Sequence, residues 1–455
     1  MKFHSKPITE HQEVPLADEG RFEELVAQWQ ARAPGNITSN GEANLCYLLS
    51  LHETAEPHVQ LAQLNELRGL VEAQGDTIVD AESHLLRKKD PRTYVGAGVA
   101  ERAANAARSA GANMLVVDAE LTPSQARNLE DLTGFAICDR EAVILNVFRK
   151  HASTKRAALQ VEIAQLEYLR PRIRGIGLNM DQQMGGSNKA RGPGETASEL
   201  LARRIDKRIA DLRKRLLQLK QSDAAQRKHR NDAARVTLVG YTNAGKTSLM
   251  NALTNAGLSA RDRPFETLDT TSRALTRHGG DVLLSDTVGF IRRLPEQLMA
   301  SFESTLAEVS EASLLVVVLD ASDAEATTHL STTRAMLERL HAEHIPRLIV
   351  FNKCDKLDEL PPFAVIAEQD PFVTVSAHDA HAVDRLRDEI LTLARQNQRQ
   401  EEVFVPYEQS FIVKHIYAHC RVSHTEALSD GTRFILHGAP HHIASILRMT
   451  KEATS

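Results

Sequence analysis

Along residues 43–150, short apolar runs alternate with amphipathic stretches. NLCYLLSL (44–51) reads as a strand buried on both faces. QLNELRGLVEAQG (63–75) carries its apolar residues at helical spacing and stops at Gly75. DTIVDAE (76–82) predicts a second strand, AERAANAARSAG (100–111) a helix and NMLVVDA (113–119) a strand. LTPSQARNLEDLTG (121–134) predicts a helix opened by Pro123. Strands that alternate with helices predict a small parallel α/β domain over 41–150. Residues 1–40 are polar and form a partly disordered lead, with one helix expected around Phe22–Gln30.

The period then becomes purely helical. Leu159, Ile163, Leu166, Leu169 and Ile173 step by three or four, and so do Leu201, Ile205, Ile209, Leu212, Leu216 and Leu219. Each set makes one apolar stripe. GGSNKARGPGE (185–195) lies between them and breaks any helix. The pattern over 151–233 therefore predicts a helical hairpin with a glycine-rich tip loop. A return to strand–helix alternation over 234–400 predicts a second α/β domain. Residues 401–455 read as a small α+β domain with a strand–helix–strand core and no visible chemistry.

Charge changes the picture of the hairpin. Residues 151–235 hold 19 Lys and Arg against 9 Asp and Glu, a net of +10 in a chain whose total is −5. A basic arm on an acidic body suits a polyanion, RNA above all; a solvated helical face is the bland reading of the same charges. With aromatics at 4%, a stacking platform built of many rings is excluded. The four cysteines are widely spaced, as expected of free thiols in a reducing cytoplasm. The N-terminus lacks the apolar core of a signal peptide, and no run approaches the 18 apolar residues of a membrane span.

The chemistry is concentrated in 234–378. ARVTLVGYTNAGKTSLMNAL (234–253) reads as strand, loop and helix, and its loop fits G-x-x-x-x-G-K-[ST] with Gly240, Gly245, Lys246 and Thr247. Such a loop presents backbone N–H groups to phosphates from Tyr241, Thr242, Asn243 and Ala244 as well as the glycines. Lys246 is expected on the β- and γ-phosphates and the Thr247 hydroxyl on Mg2+. DVLLSDTVG (281–289) delivers Asp286, Thr287, Val288 and Gly289: Asp286 to the metal through water, the Gly289 N–H to the γ-phosphate. LIVFNKCD (348–355) ends in Asn352, Lys353, Cys354 and Asp355. An Asp there accepts from N1–H and the exocyclic amine of guanine, a donor pair that adenine lacks. VTVSAH (373–378) adds Ser376, Ala377 and His378 beside the base. Four such motifs in order, each at a strand end, point to a GTP/GDP site. A mobile threonine that lets go after hydrolysis is expected among Thr267, Thr270 and Thr271.

The residue after DTVG is Phe290, where familiar signalling GTPases carry a water-orienting Gln. An apolar side chain cannot polarise water. Either backbone groups and a partner complete the site, or Phe290 points away and turnover is vestigial. Arg292 and Arg293 are candidates for internal arginine fingers, though paired basic residues after a switch more often bind RNA or form a surface. Gly96-Ala97-Gly98 before a helix is a weak signal for a second nucleotide, and a tight strand–helix turn explains it as well.

GYTNAGKTSLMNAL, FETLD (265–269), DTVGFIRRLP and RGPGET (191–196) together resemble the HflX-type GTPases of the P-loop superfamily. The resemblance implies an α/β protein with a P-loop GTPase domain, an N-terminal α/β domain, a helical hairpin and a small C-terminal domain. It makes Thr267 the switch threonine and a Mg2+ ligand. Phe265, Glu266, Leu268 and Asp269 join the GTP contacts, and Lys246, Thr267 and Gly289 form the catalytic set. It also implies GTP hydrolysis coupled to the large ribosomal subunit, in splitting or rescuing stalled ribosomes. The tip loop would meet rRNA near the peptidyl-transferase region through Lys189, Arg191, Gly192 and Gly194. The implied protein is a monomer in the cytoplasm, associated with ribosomes or a membrane surface. The alternative is a GTP-operated binding module, a ribosome-assembly or silencing factor with negligible turnover.

Overall fold

A computed structural model describes residues 43–173, 197–227, 234–254, 271–275, 282–287, 289–292, 308–359, 361–396, 399–438 and 440–452. The first sheet comprises β1 (Leu45–His52), β2 (Thr77–Leu85), β3 (Met114–Val117) and β4 (Ala136–Asp139). It is parallel in the order β2-β1-β3-β4. Helices cover both faces, which is why its central strands β1 and β3 are buried along nearly their whole length rather than on alternate residues. Tyr47, Leu49 and Leu51 pack against α2 (Ala97–Ser109) and α3 (Pro123–Thr133). Cys46 and Leu48 face α1 (Pro57–Gln74) and α4 (Arg140–His151).

Local signals set the helix ends. Gly75 terminates α1 with φ +98°. Thr122 and Gln125 form a reciprocal capping box on α3. Asp139 caps α4 by accepting from the Ala142 N–H at 2.9 Å. The β4–α4 unit has no clear signature in the sequence. Its strand is only four residues long, and α4 is buried from Arg140 to Phe148, so it shows no polar face.

Burial raises the Glu141 carboxyl to about 7, with Asp139 and Glu120 adding to it and Arg172 opposing. Its folded pKa exceeds its unfolded one, so the contribution to stability is full below about pH 4.5 and is lost as pH rises through 7. Glu141→Gln should therefore match the parent at pH 4 and exceed it by about 1–2 kcal/mol at pH 8 in denaturant melts.

The helical arm has the packing that its stripes imply. Ile163, Leu166, Leu169 and Ile173, from α5 (Lys155–Leu169) and the turn after it, meet Ile205, Ile209 and Leu212 of α6 (Ala197–Arg227). Arg208–Glu162 and Arg213–Glu167 ion pairs flank this seam. Arg203, Lys207, Lys214 and Arg215 stand exposed on α6. The tip loop lies outside the described residues.

The second sheet has six strands in the order β10-β9-β8-β5-β7-β6. These are β5 (Ala234–Gly240), β6 (Thr271–Ala274), β7 (Val282–Asp286), β8 (Leu314–Asp320), β9 (Arg347–Asn352) and β10 (Phe372–Thr374). All pair in parallel except β6, which runs antiparallel at the edge. α7 (Lys246–Thr254) and α10 (Ala380–Gln396) pack on one face through Leu249, Leu253, Leu386 and Ile390. α8 (Ala326–Arg339) covers the other through Leu330 and Leu337, and α9 (Phe363–Ala367) lies between β9 and β10. The core on this second face continues through Tyr241, Phe290 and Ile291 into the α1–α4–α5 side of the first sheet.

The C-terminal sheet adds a strand and a helix to the expected strand–helix–strand. It is antiparallel in the order β11-β13-β12, from β11 (Arg399–Pro406), β12 (Arg421–Ala427) and β13 (Gly431–Gly438). α11 (Ser410–His419) and α12 (Pro440–Glu452) enclose its core of Val403, Val405, Ile412, Phe434 and Ile443.

Candidate nucleotide-binding site

The motif residues meet at the carboxyl ends of β5, β7, β9 and β10, the edge where open parallel sheets bind ligands. β5 ends at Gly240, whose φ of +143° suits glycine alone. A Cβ there would lie 2.2 Å from the Val318 carbonyl oxygen. The loop closes at Gly245, φ +90°, where a Cβ would lie 2.3 Å from Asn352 Nδ2. α7 starts at once, so the orphan N–H groups of its first turn face the loop. Lys246 Nζ donates to the Gly240 and Tyr241 carbonyls at 3.2 and 2.8 Å. Burial pushes the Lys246 pKa down to about 8, against the pull of Asp286. The Thr247 hydroxyl donates to Asp286 Oδ2 at 2.7 Å, bringing two hard oxygens together beside the loop. That donor set fits Mg2+.

The base-side loop is braced to the phosphate-side loop. Asn352, buried, donates through Nδ2 to the Ala244 carbonyl at 3.0 Å. Lys353, held at φ 62°, donates to the Asn243 carbonyl and pairs with Asp320, both at 2.8 Å. Cys354 donates from Sγ to the Phe351 carbonyl at 3.2 Å, so its thiol serves the turn. Asp355 remains exposed, and the Ser376 hydroxyl holds its carboxyl below the usual range. The His378 N–H donates to Ser376 Oγ at 3.3 Å. An ionised, accepting carboxylate therefore stands exposed beside the braced loops.

Three family models match in chain order: the GTP-binding GTPase N-terminal region at residues 61–149, the GTP-binding GTPase middle region at 151–230, and the 50S ribosome-binding GTPase at 235–353. The chain is 40% identical over 372 residues to GTPase HflX of Spirochaeta thermophila, spanning 81% of this chain and 90% of that protein. It is 42% identical over 311 residues to GTPase HflX of Gluconacetobacter diazotrophicus, 68% of each chain. With GTPase HflX of Magnetococcus marinus the identity is 36% over 380 residues, 83% of this chain and 88% of that one. The chain belongs to the GTPase HflX family.

This HflX-family chain is thus a P-loop enzyme that binds and hydrolyses GTP. Its structure also shows where several motif side chains lie. Phe290 is 1% exposed and lies in the core that joins the two sheets. Its N–H donates to the Gly240 carbonyl at 3.0 Å, and its carbonyl accepts from the Thr242 N–H at 2.7 Å. The side chain is therefore withdrawn from any attacking water, while its backbone is stitched to the phosphate loop. Gly289 sits against that loop so closely that a Cβ would meet Thr242 Cα at 2.8 Å.

Thr287 is fully buried and donates to the Leu238 carbonyl at 2.7 Å, so its hydroxyl supports β5 rather than a ligand. The Tyr241 ring likewise turns inward, stacked on His329 with centroids 3.7 Å apart, and leaves only its backbone for phosphate. The Arg292 guanidinium pairs with Glu325, an engagement that an arginine finger would have to give up. Phe265, Glu266, Thr267, Leu268, Asp269, Val288 and Arg293, like Lys189, Arg191, Gly192 and Gly194 in the arm, lie outside the described residues. Sequence reading missed Arg140, which reaches the Arg292 carbonyl from α4, and its partners Asp118 and Glu66.

Proposed function

We propose that this chain is a GTP-driven factor of the large ribosomal subunit that splits or rescues stalled ribosomes. The bracing of the Asn352–Asp355 loop onto the phosphate loop carries the nucleotide half of this reading. It sets Asp355, two acceptors in one ionised group, at a fixed distance from the phosphate cradle. Guanine offers the matching pair of donors and adenine does not.

Lys246 would reach the β- and γ-phosphates, and their charge would restore its own. Mg2+ would be held by Thr247 and Thr267, with Asp286 acting through water, and would neutralise charge that develops on the phosphates. The backbone of Gly289 and Thr267 would order the attacking water, because Phe290 is turned away. Hydrolysis on these terms is slow alone and is completed by a partner. The match to a 50S ribosome-binding GTPase model and the exposed basic residues of α6 support the large subunit as that partner. Exposed Arg and Lys on a helix suit the phosphate backbone of rRNA. Lys189, Arg191, Gly192 and Gly194 of the tip loop would make the closest approach.

Sedimentation with isolated large ribosomal subunits tests the reading. A non-hydrolysable GTP analogue should retain at least about tenfold more chain on the subunits than GDP does, the differential affinity a switch requires. Removing residues 185–195 should cancel that difference. Equal retention with both nucleotides would contradict the proposal.

A further inference from the structure

A buried polar network joins the first sheet to the segment that follows DTVG. Arg140 opens α4, is 3% exposed, and donates to Asp118 Oδ1 at 2.6 Å and to Glu66 of α1. Its Nη2 also donates to the Arg292 carbonyl at 3.0 Å. Glu66 accepts in addition from the Tyr241 hydroxyl. That same hydroxyl oxygen accepts from the Arg292 N–H at 2.9 Å. Both backbone polar groups of Arg292 are therefore held by side chains, one from the phosphate loop and one from α4. Two residues earlier, Phe290 is held at both of its groups by the phosphate loop.

The network is built for permanence. Burial works against the Arg140 charge, but Asp118 and Glu66 more than offset it. Burial and then the Glu66 charge keep the Tyr241 hydroxyl protonated, so it remains a donor to Glu66. Charge-assisted hydrogen bonds in a dry site are short and strong.

We infer that Tyr241 and Glu66 are positioning residues for GTP hydrolysis, fixing the 289–292 backbone that stands in for the missing glutamine. With Phe290 withdrawn, the groups left at this position are peptide groups. Peptide groups orient a water only where the chain that carries them is held still. The phosphate loop holds 290. Tyr241, backed by Glu66 and Arg140, holds 292. Gly289, immediately before them, is pressed on Thr242 of the same phosphate loop.

This inference rests on GTP hydrolysis by the chain itself and not on its ribosomal partner, so the test uses the purified full chain without ribosomes. Single-turnover hydrolysis of labelled GTP is followed with the chain in excess, over a range of chain concentrations. Tyr241→Phe keeps the ring on His329 and removes only the hydroxyl. It should lower the saturating rate about 10-fold, with the half-saturating concentration and GDP affinity within about twofold of the parent. Glu66→Gln should show the same split. The double variant should lose no more than the worse single one, because both act along one path. An unchanged or raised rate in Tyr241→Phe would overturn the inference. So would losses that multiply in the double variant, or a fall in GDP affinity that matches the fall in rate.

Discussion

Lys246→Ala is expected to weaken GDP binding by about 100-fold or more and to remove measurable GTP turnover, because several charge-assisted hydrogen bonds of about 1.5–3 kcal/mol each are lost together. Among the described residues, the ammonium's hydrogen bonds go to two loop carbonyls, those of Gly240 and Tyr241. Burial already lowers its pKa to about 8. A buried cation that bonds to loop carbonyls, with no ion pair among the described residues, contributes little to folding, and its position makes sense as a phosphate contact. The variant should therefore melt close to the parent while failing to bind nucleotide. Titration calorimetry with GDP, beside a thermal melt, checks both halves. A GDP affinity within about fivefold of the parent would mean that phosphate does not sit at this lysine.

Asp355→Asn is expected to lower GDP affinity by about 100-fold and to raise affinity for xanthosine diphosphate, reversing the preference between the two. The carboxylate offers two acceptors and the Ser376 hydroxyl keeps it ionised. The amide turns one acceptor into a donor, which suits the carbonyl that xanthine carries in place of the amine. Asp355 is exposed and caps no core, so folding should be untouched. Competition between the two nucleotides for the variant measures the switch directly. Unaltered preference would place the base elsewhere.

The nucleotide site was legible because its residues obey local rules. A glycine pair ahead of a lysine, an aspartate at one strand end and an Asn-Lys-x-Asp at another keep fixed spacing, and each has a chemical reason. The helical arm was legible through period alone: the stripes from Leu159 to Ile173 and from Leu201 to Leu216 are the ones that pack. What local spacing cannot show is a contact between distant positions. Arg140 lies 74 residues from Glu66 and 152 from Arg292, and nothing near any of them in sequence marks the others. The same reason hid the roles of Tyr241 and Thr287. Motif spacing places both in the nucleotide site by their backbone, and the fold adds that their hydroxyls are spent on Glu66 and on the Leu238 carbonyl. Phe290 carried a partial signal, since an apolar residue next to a phosphate site has to be buried somewhere. Which core receives it depends on how the two sheets meet. The four-residue β4 and the unpatterned α4 fall below what periodicity resolves.

GTP turnover by the purified chain, alone and with isolated large ribosomal subunits, tests the central claim most directly. Slow turnover alone, raised at least about tenfold by the subunits and absent in Lys246→Ala, is the result expected of a site whose glutamine is replaced by held backbone and a partner. Turnover that the subunits leave unchanged, with GDP binding intact, would contradict it.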